Sequence, residues 1–145
     1  MNQTDLKEFL DAKVELYNTT TFIKSDPIQI PHQLRDLGAS KEDIEIISFL
    51  VATIAWGNRK SIITNGNRLL KIMGNSPFDF IANFTEKDTK YFSGFVHRTF
   101  NENDLNYFIT ALQNIYLNHH GMESLFAGSI KDDSLQYAIH KFKIT

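Results

Sequence analysis

Apolar residues recur along most of the chain at the three- and four-residue spacing of α-helices. The first stripe follows Thr4, a predicted N-cap, and comprises Leu6, Phe9, Leu10, Val14 and Tyr17. The most regular stripe follows Asn101 and Asp104 and comprises Leu105, Phe108, Ile109, Leu112, Ile115, Tyr116 and His119. No alternation typical of strands and no hairpin turn signal competes with these stripes. The pattern therefore predicts an all-α fold.

Two helices are predicted in the middle of the chain. Ser40 and Asp43 have the spacing of a capping box, and the almost uniformly apolar residues 44–55 that follow predict a helix at the centre of the domain. Gly57 and Asn58 interrupt that helix. A second helix is predicted over residues 59–73, with Gly74 at its C-terminal end. The solvent-facing stripe of this helix carries Lys60, Thr64, Arg68 and Lys71.

The remaining elements are shorter. Because Pro27 and Pro31 lie only four residues apart, the segment around them is predicted to be an extended connection. Ser76 with Pro77 and Thr85 with Asp88 are each predicted to open a short helical segment. A final amphipathic stretch carries Leu135, Ala138, Ile139 and Phe142. Residues 1–145 are thus predicted to form a single all-α domain of about six to eight helices.

Composition excludes several classes of protein. At 145 residues, with 42% hydrophobic and 22% charged side chains, the chain can bury a core and has the size of one domain. It contains no cysteine, so it forms neither a disulfide nor a thiolate zinc site. The longest apolar run, residues 46–55, is too short to span a bilayer, and the N-terminus lacks the pattern of a signal peptide. We therefore expect a cytoplasmic protein with no membrane contact.

Charge is distributed unevenly although the net charge is only −2. Residues 46–78 contain no acid, and their bases are Arg59, Lys60, Arg68 and Lys71. This asymmetry favours an anionic partner for the middle of the chain. The alternative is that the first ten of these residues form a buried helix, which would exclude charge in any case.

Recognised catalytic and metal-binding motifs are absent. None of the five histidines has the spacing that places two metal ligands on one helix face, and no phosphate-binding glycine loop occurs. We therefore expect no metal, no cofactor and no catalytic residue in this chain. Residues 57–60, at the junction of two predicted helices, could form a phosphate site because backbone amides and two bases would lie together. The alternative is a polar turn between two core helices.

Several segments carry a resemblance to a known superfamily. Residues 46–73, residues 76–82, and residues 94–98 with the long helix that follows resemble parts of the helix-hairpin-helix DNA glycosylase superfamily. Residues 26–32 (DPIQIPH) and 55–60 (AWGNRK) more closely resemble an uncharacterised bacterial family of that general type, whose members are longer. The resemblance implies a compact orthogonal multi-helix bundle, similar to the helical half of a DNA-glycosylase-like fold.

The resemblance also implies a partner and a set of contacts. Duplex DNA would be bound with its phosphates near Arg59, Lys60, Arg68 and Lys71, and Asn58 or Trp56 would approach the bases. The superfamily's hairpin and its catalytic residue lie in a half that this chain lacks. We therefore expect residues 1–145 to be the N-terminal part of a longer protein and to be inactive alone.

A second hypothesis requires no nucleic acid. The chain would then be a helical protein-interaction or scaffold module that keeps the fold of the superfamily but has lost its catalytic function. Under either hypothesis we expect the chain to self-associate as a homodimer through Leu135, Ile139 and Phe142. Trp56 is either the last core residue or the first residue facing the polar turn, and its position after a long apolar run favours the core.

Overall fold

The computed structural model describes residues 2–130 and 134–145, and helices dominate this part of the chain. The only strands described, β1 (Val96–His97) and β2 (Phe100–Asn101), pair antiparallel, and a 3₁₀ helix spans Glu86–Phe92. The α-helices are α1 (Gln3–Tyr17), α2 (Thr20–Ile23), α3 (Gln29–Asp36), α4 (Lys41–Thr53), α5 (Arg59–Ile72), α6 (Pro77–Ala82), α7 (Glu102–Asn118), α8 (Gly121–Ala127) and α9 (Gln136–Ile144). The predicted all-α class is confirmed. The helices outnumber the predicted six to eight because α2 and α8 lack a long apolar stripe and α3 contains a proline.

The predicted extended connection around Pro27 and Pro31 is wrong, because helix α3 begins at Gln29. Pro31 is the third residue of this helix. Amides in the first turn of a helix have no intrahelical acceptor, so the missing N–H of proline costs nothing there. Ile30 and Leu34 are buried, which shows that α3 packs its apolar face into the core.

The start of α1 also differs from the prediction. Its N-cap is Asn2, whose side chain accepts a hydrogen bond from the backbone amide of Asp5, while Thr4 lies inside the helix. None of the residues of α1 is buried. The apolar stripe of this helix therefore remains on the surface.

Helix α4 lies at the centre of the fold, as predicted. The helix contacts its neighbours α3, α5 and α6. Its buried apolar side chains are Ile46, Ile47, Leu50 and Val51, and that of Ile54, just after the helix, is buried in the same core. Gly66 of α5 allows the helices to approach closely, since a Cβ atom there would lie 2.5 Å from Ile30 Cδ1 and 3.1 Å from Val51 Cγ2. Side chains from α3 and α4 thus meet at one glycine of α5.

Capping boxes start three further segments where the sequence indicates them. The box of Ser40 and Asp43 opens α4, and equivalent boxes open the 3₁₀ helix and α7. Asp43 has a second task, because its Oδ1 atom accepts a hydrogen bond of 2.8 Å from the backbone amide of Phe78 in α6. One carboxylate, only 8% exposed, therefore joins the beginnings of two helices.

The small hairpin of β1 and β2 contradicts the expectation that no hairpin is present. Val96 pairs with Asn101 and His97 with Phe100, which leaves Arg98 and Thr99 in the turn. Arg98 has a φ of +57°, a conformation usually taken by glycine or asparagine. Because neither residue is present in this turn, the usual sequence signal for a hairpin is missing.

Helix α8 packs on α7, and α9 packs on α8. Helix α7 ends with His119 as its C-cap, and His120, in a left-handed conformation, leads into α8. Phe142 of α9 contacts the rings of Phe49 and Phe126, whereas Leu135 and Ile139 stay 54% and 58% exposed. In the part of the chain that is described, no helix is both long and apolar enough to cross a membrane.

Candidate nucleic-acid interface

A buried histidine connects the hairpin to the turn between α4 and α5. His97 is 2% exposed, and its two ring nitrogens lie 3.1 Å from the backbone oxygen of Trp56 and 2.9 Å from the side-chain nitrogen of Asn65. Since the Asn65 nitrogen can only donate, His97 Nδ1 accepts that hydrogen bond, and Nε2 carries the proton that it donates to Trp56. Asn65 also donates to the backbone oxygen of Val96, at 3.4 Å, which fixes the orientation of its amide.

Trp56 lies at the surface, so its predicted place in the core is wrong. Ile54 is fully buried and completes the core, and the chain turns outward after it, leaving Trp56 41% exposed. The guanidinium of Arg98 lies 4.9 Å from the centroid of the indole, and the His97 ring meets the indole edge-on at 6.0 Å. The indole is therefore held from two sides by the hairpin.

Gly57 makes room for this contact. Its φ is +104°, which favours glycine, and a Cβ atom there would lie 3.0 Å from both Cδ and Nη1 of Arg98. The tryptophan, the glycine and the arginine thus form one packed surface although Arg98 is distant from the other two in sequence.

The first turn of α5 adds two bases to this surface. Asn58 is the N-cap of α5, and its Oδ1 atom accepts a hydrogen bond of 3.2 Å from the amide of Ser61. Arg59 and Lys60 follow it, are exposed, and form no hydrogen bond or ion pair within the described residues. We call Trp56, Asn58, Arg59, Lys60 and Arg98 together the turn surface.

Arg68 and Lys71 occupy different environments further along α5. Arg68 donates hydrogen bonds to the backbone oxygens of Gly94 (2.9 Å) and Ser93 (3.2 Å), and its guanidinium lies 5.3 Å from the centroid of the Phe95 ring. This side chain therefore holds the glycine turn before β1. Lys71 is exposed and unpaired among the described residues. It follows Lys60 by 11 residues, so the two lie about 17 Å apart along the helix axis.

Sequence reasoning placed four of the turn-surface residues together and missed Arg98. The four lie within five consecutive positions, so their proximity follows from the chain itself. Arg98 reaches Trp56 only through the tertiary packing of the hairpin. An arginine before a threonine carries no signal of that contact.

The bases of this region are not neutralised by acids. The ion pairs among residues 2–130 and 134–145 involve Lys7, Arg35 and Lys41, whereas Arg59, Lys60, Arg68, Lys71 and Arg98 form none. An acid does approach the edge of this region, because Glu102 accepts a hydrogen bond from the amide of Gly94. The same described residues contain no group of three His, Asp or Glu side chains able to hold a metal ion.

Comparison with known proteins gives one match. Residues 26–145 match the model of the family described as "Protein of unknown function (DUF2400)". No curated protein and no solved structure matches the chain. The expected membership of an uncharacterised family is confirmed, while the resemblance to DNA glycosylases stays a prediction. The chain therefore belongs to the DUF2400 family of proteins of unknown function.

Proposed function

We propose that this chain binds duplex DNA through the turn surface. The observation that carries the proposal is the set of bases without ion pairs around a half-exposed tryptophan. Bases that are not neutralised by neighbouring acids keep their attraction for phosphate, and this attraction supplies most of the affinity of non-specific DNA binding.

The residues of the turn surface would have different tasks. Arg59 and Lys60 would bind phosphates, since both are exposed and unpaired in the described structure, and Lys71 would reach the same backbone further along. The Asn58 Oδ1 atom is engaged in the helix cap, which leaves its amide nitrogen to donate to a phosphate or a base. Arg68 holds the turn at residues 93–95, so it would support the surface rather than bind the backbone.

Fluorescence anisotropy with a labelled duplex tests this proposal. With about three phosphate contacts, log K should fall against log salt with a slope of about −2.7. Reversal of the two free bases, Arg59→Glu with Lys60→Glu, should weaken binding by about tenfold or more at low salt, because most of those contacts are lost.

The matched control is the reversal of two bases on α1, Lys7→Glu with Lys13→Glu. It changes the net charge by the same amount on a helix that buries no residue. An equal loss of affinity in both double variants would contradict a localised site and would leave only diffuse attraction.

A second candidate function is protein interaction, and the exposed apolar residues at the start of α9 and within it favour it. Leu135 and Ile139 lie on the surface, and Ile139 borders an apolar groove between α7 and α9 with a volume of about 600 Å³. We expect these two residues to contact a second copy of the chain, while Phe142 is already packed against Phe49 and Phe126. Sedimentation velocity should show a dimer that Ile139→Glu dissociates, and a monomer at all concentrations would contradict this candidate.

A further inference from the structure

Two adjoining pockets lie beside Arg59, on the side of α5 that faces α3. The larger has a volume of about 550 Å³ and the smaller about 430 Å³. Arg59 lines both of them, so the pockets adjoin. Asp26 and Gly57 line the larger pocket, and the residues next to them in sequence, Ser25 and Asn58, line the smaller. Both volumes fall in the range of small-molecule sites.

The smaller pocket has the chemistry of a phosphate site. Its walls contain the unpaired bases Arg59 and Lys60 and the hydroxyl group of Thr64, and no carboxylate lines it. The hydroxyl of Ser25, which also lines the pocket, donates to the backbone oxygen of Phe22. Cations and hydroxyl donors without a competing acid suit a phosphate group, whose oxygens only accept hydrogen bonds when it is ionised.

The larger pocket has the chemistry of a site for a flat, partly polar ring. Its walls are mainly apolar and include two prolines and two alanines, Pro27, Pro31, Ala52 and Ala55. One carboxylate, that of Asp26, lines the same pocket. Its Oδ1 atom accepts a hydrogen bond of 3.0 Å from the amide of Ile28, while no described residue donates to Oδ2. A free carboxylate oxygen in an apolar pocket suits an amino group on the ring.

The two charged side chains of the larger pocket do not neutralise each other. Asp26 and Arg59 line the same pocket without forming an ion pair. We infer that the joined pockets bind a free nucleoside monophosphate with an amino-bearing base, its phosphate between Arg59 and Lys60 and its base amino group at Asp26. The site shares Arg59 and Lys60 with the turn surface. The inference does not rest on DNA binding, because Asp26, Ala52 and the prolines of the larger pocket lie outside the turn surface.

Titration of the intact chain with cytidine 5′-monophosphate, followed by amide NMR shifts, tests the inference. The shifts should concentrate at Val51, Gly57 and Ile62 around the larger pocket. Uridine 5′-monophosphate, which has a carbonyl in place of the amino group, should bind about tenfold more weakly, a difference of about 1.4 kcal/mol. Asp26→Asn should remove this discrimination, because one of its two acceptor oxygens becomes a donor.

A pocket-filling variant separates this site from the turn surface. Ala52→Leu adds bulk inside the larger pocket from an exposed position of α4 and should lower the affinity for cytidine 5′-monophosphate by about tenfold, with duplex binding unchanged. The matched control, Ala127→Leu on the surface of α8, should change neither. If the parent chain bound cytidine 5′-monophosphate but no duplex, the proposed function would be contradicted and this site would not.

Three results would overturn the inference. The first is equal affinity for cytidine 5′-monophosphate, ribose 5-phosphate and inorganic phosphate, since binding would then depend on the anion only. The second is an unchanged nucleotide affinity in Ala52→Leu. The third is the absence of shifts at the pocket amides up to about 10 mM nucleotide, which corresponds to a binding free energy weaker than about −3 kcal/mol.

Discussion

Single side chains hold the candidate interface in place, and His97 is the one with the most specific hydrogen-bonding requirement. It needs one ring nitrogen to accept from Asn65 and the other to donate to Trp56. A neutral imidazole provides both at opposite sides of one ring, which no other side chain does. The hairpin and the turn therefore depend on a single residue.

Replacement of His97 by phenylalanine should loosen this connection. The ring shape is kept, but the Trp56 carbonyl and the Asn65 amide lose a partner, so the free energy of unfolding should fall by about 1–3 kcal/mol. Urea unfolding measures this loss, and the emission of Trp56, the only tryptophan, should move toward that of an exposed indole. Unchanged stability together with unchanged emission would show that the two hydrogen bonds have no role.

Tyr116 gives a prediction on pH. Burial, followed by the hydrogen bond of 2.9 Å that its hydroxyl donates to Glu45, raises its pKa above the ordinary value of 10.0. The neutral form is thus favoured in the folded state, so stability is retained below pH 10 and falls as the pH rises above it. In an ultraviolet titration, Tyr116 should ionise only with unfolding. Tyr116→Phe should remove that late step, whereas Tyr107→Phe, at an exposed position, should leave it in place.

Helix starts are the elements that local sequence determines best. The boxes at Ser40, Thr85 and Asn101 were predicted correctly because each needs only two residues three positions apart. The hairpin gives no sequence signal because its left-handed position is occupied by Arg98. Helix α3 gives none because proline usually interrupts a helix, although Pro31 lies in a first turn, where it is tolerated. Both cases concern positions where tertiary contacts decide between two local conformations.

The carboxylate of Asp43 should be worth more than an ordinary cap. Asp43→Ala removes the box of α4 and also leaves the Phe78 amide of α6 without its acceptor, so the free energy of unfolding should fall by about 2–3 kcal/mol. Thermal unfolding measures the change. Asp5→Ala removes a similar box from α1, which buries no residue, and should have a smaller effect. Equal effects would mean that the bond to α6 adds nothing.

Across the whole molecule, the core depends on the close approach of α3, α4 and α5 at Gly66. The contacts of this glycine come from residues 36 and 15 positions earlier in the chain, Ile30 and Val51, so the local sequence does not reveal them. The same limit applies to the candidate site. The positions of the α5 bases can be predicted from that helix alone, whereas the contact of Arg98 with Trp56 and the pockets exist only in the packed molecule.

Gly66→Ala should therefore destabilise the fold although alanine is the better helix former. The new methyl group would lie 2.5 Å from Ile30 Cδ1, and Ile30 is fully buried with little room to move. Overpacking of about 1–3 kcal/mol should exceed the gain of about 1 kcal/mol in helix propensity. Chemical denaturation measures the balance, and Thr64→Ala on the exposed face of the same helix should stay within about 0.5 kcal/mol of the parent. A stabilised Gly66→Ala variant would show that α3 can move away freely.

The bond between His97 and Trp56 joins positions 41 residues apart in the chain. Contacts of such separation form late in folding, because the intervening chain must lose its freedom before the bond can form. The helices, whose bonds are local, can appear earlier. In stopped-flow refolding, the emission of Trp56 would therefore follow the far-ultraviolet signal of the helices, and a chain that has formed its helices would still lack the turn surface until the hairpin closes on the turn.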